Sequence, residues 1–491
     1  MRSRGRGSKP PLQRLVNCIP EPAERAVAPV RALATELSAP AAAVPADGWA
    51  RAQVLVTLHG LPLGAVEVTP TGGRLEPTAV LRTVERELGE QLRAHLRRDG
   101  IDDVRQAPPA GEARHRCRRE LDSPGRPPLV TVVVATRDRH RQLATCLRSI
   151  LAVDYPTFEV VVVDNAPSDE STARMVEELF GDDPRIRYLR EGRPGASHAR
   201  NVGAAAGRGE LVAFTDDDAV VDELWLAALV AGFRNDPRVA CVTGLTLPGA
   251  LETAAQQAFE SYGGMGLGFE PRVYDLEDNR GDTRLYPYTA GIFGASNNAA
   301  FRRRQFLDRG GFDEVLGPAT PAFGAEDLDV FLALVLDGHR IAYEPAAMVR
   351  HEHRLRFDDL YWQVFTYSAG FTALLTKWAI GDRRARADLA GRVPRLLPAA
   401  LLHAHRGDPG DGCDDYPPQL RWLERAGYVY GPAAYARSRA QAWWQRRRPP
   451  RGAGRRRGPE REGVAGNDGG GGPGVDAPGR TASVTGDGED R

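Results

Sequence analysis

The chain has 491 residues, and its 65 Lys and Arg balance 65 Asp and Glu, so no global charge draws it to nucleic acid. An apolar fraction of 42% is that of an ordinary globular protein and leaves room for a large core with accessory segments. Its cysteines (Cys18, Cys117, Cys146, Cys241 and Cys413) are scattered without a CxxC spacing, which argues against a disulfide framework or a structural zinc site and for a reducing, cytoplasmic setting.

Residues 1–48 are rich in Ala, Pro and Arg and are expected to be loosely ordered, with no apolar run of the signal-peptide kind. Residues 49–113 read as a small accessory α+β element. Val54, Val56 and Leu58 alternate with polar residues, a break follows at His59-Gly60 and Pro62-Leu63-Gly64, and the alternation resumes through Ala65–Val68. Val80, Leu81, Val84, Leu88 and Leu92 then recur at helical spacing between Pro77 and Arg98. Residues 114–128 are charged and proline-rich, which suits a linker.

The main domain is expected at 129–355. Leu129–Ala135 and Glu159–Val163 are continuous apolar runs, the pattern of strands buried on both faces. Ile186–Leu189, Leu211–Phe214 and Val239–Thr243 add three more strands. Helical stripes lie between them, through Leu143, Leu147, Ile150 and Leu151, through Met175, Val176 and Leu179, and over Leu224–Phe233. Such alternation predicts an α/β fold with a Rossmann-like, mostly parallel sheet and helices on both faces. Ligands then sit beyond the carboxyl ends of the strands. Residues 356–444 form a helical C-terminal region. Its most apolar stretch, Val364–Ile380, is interrupted by Ser368 and Lys377 and reads as a core helix, with Tyr361, Trp362, Phe365 and Tyr367 as packing residues. Residues 445–491 are Arg, Gly and Pro with no means of building a core, and a solvated tail is expected.

The residues that carry chemistry lie at strand ends. Asp216-Asp217-Asp218 directly follows the strand ending at Phe214-Thr215. Three adjacent carboxylates repel one another unless a cation neutralises them, and a hard divalent ion shared with a substrate diphosphate does so. A helix cap would need only one of them. A second acidic group, Glu326-Asp327-Leu328-Asp329, opens an apolar helix, where the helix dipole alone stabilises negative charge. His351 and His353 stand at alternate positions after the strand Arg340–Tyr343 and are candidate metal ligands.

From about Leu129 to Arg354 the chain resembles glycosyltransferase family 2, inverting enzymes of the GT-A fold. The resemblance rests on Val132–Arg139, Val161–Asn165, Gly195–Gly203, the Asp216–Asp218 triplet at the family's DxD position, Gly294–Phe301, Gly310–Glu314 and Phe323–Asp329. It implies a donor site built from Thr136, Arg137, Asp138, Asp164, Arg200, Asp216 and Asp217, with the acidic Asp164 meeting the base. It further implies Asp218, Asp216 and His351 as ligands of Mn2+ or Mg2+, Asn297 and Asn298 on the acceptor side, and Asp327 as catalytic base with Glu326 in reserve. The implied partners are a UDP-, GDP- or TDP-sugar and a saccharide, lipid-linked or small-molecule acceptor, without nucleic acid. Peripheral contact with the inner face of the plasma membrane stays open. The segment Gln419-Leu420-Arg421-Trp422 is one residue shorter than the QxxRW motif of processive synthases, so that activity is not expected. Two alternatives remain at this point, a sugar-phosphate nucleotidyltransferase and an inactive nucleotide- or sugar-binding protein. The first expects a glycine-rich loop where this chain has Thr136-Arg137-Asp138-Arg139.

Overall fold

The computed structural model describes residues 29–39, 42–102, 115–121, 125–234, 236–402 and 417–447. The first 28 residues and nearly all of the expected C-terminal tail lie outside them. The chain begins with β1 (Val30–Glu36), β2 (Val44–Pro45), β3 (Arg51–Leu58), β4 (Leu61–Val68) and β5 (Arg74–Leu75), then α1 (Pro77–Glu87), α2 (Gly89–Asp99) and the single turn α3 (Arg116–Arg119). Next come β6 (Val130–Thr136), α4 (His140–Leu151), β7 (Phe158–Asn165), α5 (Ser171–Phe180), β8 (Ile186–Glu191), α6 (Ala196–Ala206), β9 (Leu211–Asp216) and β10 (Ala219–Val221). They are followed by α7 (Trp225–Ala231), β11 (Val239–Pro248), α8 (Ala254–Ser261), β12 (Arg272–Tyr274), β13 (Asn298–Arg302), α9 (Arg303–Asp308), α10 (Glu326–Leu336) and β14 (Arg340–His351). The helices α11 (Phe357–Gly381), α12 (Arg383–Leu402) and α13 (Pro418–Arg447) complete the described chain.

The apolar runs become interior strands of a nine-stranded sheet, ordered β10-β14-β11-β13-β9-β6-β7-β8 with β12 paired to β14. Side chains alternate across it. Val130, Val132 and Val134 of β6 pack with Leu143 and Leu147 of α4 and Trp225 of α7, whereas Val133 packs with Ala199 of α6 and Phe331 of α10. Helices thus cover both faces, as the continuous hydrophobicity of β6 and β7 requires.

The sheet is parallel from β9 through β6 and β7 to β8, as expected. β13 departs from that pattern, running antiparallel to both β9 and β11. This reversal has a chemical consequence, because Asn298 at the start of β13 pairs with Thr215 near the end of β9. The loop before β13 and the acidic loop after β9 therefore share one edge of the sheet. The last residue of β14, His351, pairs with Ala219 of β10, next to the three aspartates. Gly203 lets α6 lie close on β6, where a Cβ would come within 2.4 Å of Val133 Cγ1.

Three expectations for the N-terminal part are corrected. β1 lies within the stretch expected to be loosely ordered, yet it pairs in parallel with β3. Its Ala-rich sequence has weak strand propensity, and the pairing is supported by Val30, which is buried, and by Leu33, which packs on the accessory core. The single helix expected from Pro77 divides at Leu88, whose φ of −118° and ψ of 14° leave the helical region. The break keeps Leu88, Leu92 and Leu96 in one core with Val54 and Val66. The segment 114–128 is no free linker, because Cys117 and Leu121 are buried in the core beneath the large sheet. Leu55 and Leu61 likewise join the two cores of the large sheet, so the accessory element packs directly on it.

In the C-terminal region, Leu360, Tyr361, Val364 and Phe365 of α11 pack with Leu420 and Leu423 of α13, while Tyr367 is half exposed. Among the described residues no helix is long and apolar enough to cross a membrane.

Candidate active site

The three aspartates after β9 face three ways. Asp216 is the most open, with 31% of its side chain exposed, and accepts a hydrogen bond from Arg200 Nη2 at 2.8 Å. Asp217 turns inward, where Thr136 Oγ1 donates to it at 2.7 Å and Arg139 Nη1 at 3.1 Å. Burial pushes its carboxyl up to about 6, against the opposing pull of Arg139 and Thr136. Asp218 accepts from Arg139 Nη1 at 2.7 Å and lies 3.2 Å from His351 Nε2. Burial acts to raise Asp218 as well, but the hydrogen bond and charge of His351, then the charge of Arg139, hold it well below the ordinary carboxylate value. For His351, burial opposes the charged form, and the hydrogen bond to Asp218 reverses the balance and raises it.

One ligand atom each from Asp216, Asp218 and His351 lies within 4.8 Å of the others. Two carboxylate oxygens and an imidazole nitrogen suit Mn2+ or Mg2+, and the group leaves positions for substrate phosphate. Strand pairing explains His351, since β14 delivers it beside β10. His353 is directed elsewhere: its Nε2 is 2.6 Å from Glu260 Oε1, and its ring meets Phe259 edge-on.

The second acidic group opens α10 after a loop with three non-glycine residues in the left-handed region, Ala319 at φ 68°, Phe323 at φ 70° and Ala325 at φ 75°. Such conformations cost of order 1–3 kcal/mol each and mark a turn held by its surroundings. Glu326 is buried and accepts from Arg200 Nη1 at 2.8 Å. Burial, and then the neighbouring Asp327, push Glu326 up to about 7 despite the Arg200 charge. Asp327 is only half-buried, and its two oxygens accept from the backbone amides of Ser296 at 3.1 Å and Leu328 at 2.8 Å. Asp329 is structural, bonded to Lys377 Nζ at 2.6 Å and Trp378 Nε1 at 2.9 Å.

Arg200 joins the two acidic groups. Its guanidinium reaches Glu326 with one nitrogen and Asp216 with the other, and packs over Phe312. Arg139 has the same office on the other side, spanning Asp217 and Asp218. The sequence pattern alone assigns Arg139 no role. The available signal was a cation three residues past the end of β6, at the edge where three aspartates needed neutralising.

The remaining expected residues are more dispersed. Thr136 is buried and holds Asp217. Asp138, at φ 56°, accepts from the Ser168 amide at 2.8 Å and hydroxyl at 2.7 Å, and Arg137 lies beside it on the surface. Asp164 is fully buried at the end of β7, with one oxygen bonded to Tyr188 Oη at 2.7 Å and the other without a partner among the described residues. Burial raises its carboxyl above the ordinary value, although the Tyr188 hydroxyl works the other way. Asn165 bonds the backbone of Arg193 and Gly195 and so shapes the loop before α6.

Asn297 is buried against Thr246 and Met265. Asn298 does not line the acceptor side. It is 1% exposed, accepts from Trp225 Nε1 at 2.9 Å and donates to the carbonyls of Leu245 at 3.1 Å and Ala347 at 2.8 Å. An asparagine in a small-residue loop reads as a sugar contact, but here β13 has begun and the side chain points into the sheet's packing. Asn298→Ala should destabilise the protein by about 2–3 kcal/mol, because the Trp225 N–H and two carbonyls lose a buried partner. Urea denaturation measures this, and activity per folded molecule should stay unchanged.

Comparison with known proteins finds relatives over the part of the chain that carries these residues. Residues 131–305 match the family model described as glycosyl transferase family 2. A glucosyl-dolichyl phosphate glucuronosyltransferase of Haloferax volcanii is 30% identical over 268 residues, covering 52% of this chain and 81% of that protein. A pre-mycofactocin glycosyltransferase of Mycobacterium tuberculosis is 28% identical over 237 residues, 47% of this chain and 44% of its own. Among solved structures, a mannosyltransferase of Pyrobaculum calidifontis in complex with GDP-Man and Mn2+ is similar at 21% identity and a TM-score of 0.42, over 67% of this chain and 93% of that one.

Proposed function

The chain belongs to glycosyltransferase family 2 and is a glycosyltransferase, and from that premise we propose that it moves a sugar from a nucleoside-diphosphate sugar to an acceptor hydroxyl in one inverting displacement. The family membership displaces the nucleotidyltransferase reading. The observation that carries the proposal is the Arg200 bridge, which sets the Asp216–Asp218 loop and the Glu326-Asp327 turn on two sides of one guanidinium.

Asp216, Asp218 and His351 would hold Mn2+ or Mg2+, which supplies Lewis acidity to the departing diphosphate. Asp164, fully buried at the carboxyl end of β7, has an oxygen without a partner among the described residues, which supports its assignment to the base side of the donor site. Arg137 and Asp138 border the same edge. Asp327 takes the proton from the acceptor hydroxyl as that oxygen forms its bond to the anomeric carbon and the bond to the diphosphate oxygen breaks. Ser296 and Leu328 hold the Asp327 carboxylate through their amides and leave its remaining lone pairs for the acceptor. Glu326 is less suited to be the base, because it is buried and engaged by Arg200. The loop Gly294–Asn297 lies on the acceptor side through Ser296. The acceptor belongs among saccharides, lipid-linked sugars and small hydroxylated molecules, and a lipid-linked one would go with peripheral membrane contact.

Thermal melts with UDP, GDP, TDP and CDP, each with and without Mn2+, test the donor site. One nucleotide should raise the melting temperature in a Mn2+-dependent way, the stabilisation reaching about 2.7 kcal/mol at 100 times Kd. Absence of a shift with every nucleotide in Mn2+ would contradict the reading.

A further inference from the structure

Away from the transfer site, the described residues bring a second set of metal-ligating atoms together. His59 stands at the tip of the β3–β4 hairpin, in a tight turn where its φ is 58° and that of Gly60 is 81°. His95 and Asp99 lie four residues apart on α2 and therefore share a face. Cys117 comes from α3, in the segment that leads into the large sheet. His59 Nδ1 is 2.9 Å from Asp99 Oδ2, 3.3 Å from His95 Nε2 and 3.5 Å from Cys117 Sγ. His95 Nε2 is 3.4 Å from the same Asp99 oxygen. The side chains of His59 and Asp99 are 0% and 1% exposed, Cys117 is 0% exposed, and His95 is 8% exposed.

Hydrogen bonding accounts poorly for this convergence. His59 Nδ1 carries at most one hydrogen, yet three polar atoms approach it. A cation among the four atoms accounts for it better. Ligands at about 2.0–2.3 Å from the centre of a tetrahedron are about 3.3–3.8 Å from one another. The separations of 3.3, 3.4 and 3.5 Å fall in that range, the 2.9 Å pair must open slightly, and all four atoms lie within 4.8 Å of one another. Two imidazole nitrogens, a carboxylate oxygen and a thiolate sulfur form a donor set that suits Zn2+ and closes its coordination.

The surroundings orient these ligands. Asp99 Oδ1 accepts from the Cys117 amide at 2.8 Å, which leaves Oδ2 for the cluster. The Glu36 carboxylate accepts from the amides of His59 at 2.8 Å and Gly60 at 3.0 Å and so fixes the hairpin tip. The His115 ring lies flat on that of His59, with centroids 3.4 Å apart at 8°. Metal sites depend on such outer contacts to hold ligand orientation.

We propose that His59, His95, Asp99 and Cys117 form a structural zinc site that clamps the hairpin tip and α2 to the segment entering the catalytic sheet. The absence of a CxxC pair argues only against sites with paired thiolates, and this one uses a single thiolate. Binding displaces the Cys117 thiol proton to solvent.

The test uses the full-length protein from zinc-supplemented culture, purified without a polyhistidine tag and dialysed extensively. Elemental analysis should find about one zinc per chain, retained in Asp218→Asn and lost in Cys117→Ser. Because Cys117→Ser could fail to fold, the metal-stripped wild-type protein is also titrated with Co2+. Intense tetrahedral d–d bands with a thiolate-to-cobalt charge-transfer band, both removed by Zn2+, are expected. The proposal stands if the wild-type protein gives either signal and Asp218→Asn keeps it, and is overturned if both are missing, if they are lost with Asp218, or if either persists in a folded Cys117→Ser variant.

Discussion

Asp327→Asn is expected to slow sugar transfer by about 100- to 10,000-fold while leaving nucleotide affinity nearly unchanged. The substitution keeps the size of the side chain and an oxygen able to accept from the Ser296 or Leu328 amide, so the turn before α10 should persist. What disappears is the basic oxygen that takes the acceptor proton. Nucleoside diphosphate release in the presence of acceptor measures the loss, and the Mn2+-dependent nucleotide melting shift shows that the donor site survives. Glu326→Gln is the informative companion. Glu326 touches Arg200 rather than open space, so its replacement should act through the position of Arg200 and Asp216 and fall on donor binding as well as turnover. A transfer rate in Asp327→Asn close to that of the wild-type protein would remove Asp327 from the mechanism.

Asp218→Asn should have the second large effect, a loss of about 100-fold or more in transfer together with weakened Mn2+ binding. Asp218 is half-buried and is faced by both His351 and Arg139, whereas Asp216 is already held by Arg200. Removing its charge deprives the cation of an oxygen ligand and leaves Arg139 with Asp217 alone. Titration of Mn2+ against the nucleotide complex reads this directly. Asp217→Asn makes the contrast, since Asp217 faces Thr136 and Arg139 inside the protein, and its replacement should leave Mn2+ affinity nearly unchanged. Equal Mn2+ affinity in Asp218→Asn and wild type would show that Asp218 is not a ligand.

Much of this arrangement is legible in the sequence. The buried strands β6 and β7 announce themselves by uninterrupted valines, and the helices between them by spacing, because local pattern and tertiary role coincide there. The acidic triplet is legible because three adjacent carboxylates have few purely structural uses. The antiparallel direction of β13 is not legible, since a short apolar strand reads alike in both directions. That direction decides that Asn298 faces the packing and that the preceding loop meets Asp327 through Ser296. The choice of His351 over His353 depends on strand register, which pairs His351 with Ala219 and sends His353 to Glu260. The His59–Cys117 cluster was missed for a related reason. Its ligands come from a hairpin tip, a helix and a one-turn helix 58 residues apart at the extremes, and only the His95–Asp99 spacing is local.

The configuration of the new glycosidic bond tests the central claim most directly. Once the melts have selected a donor nucleotide and an acceptor is in hand, the first product formed can be assigned from its anomeric proton coupling by NMR. A single displacement with Asp327 as base predicts the configuration opposite to that of the donor sugar. A product that retains the donor's configuration would contradict it, because one in-line attack cannot return the anomeric carbon to its starting geometry.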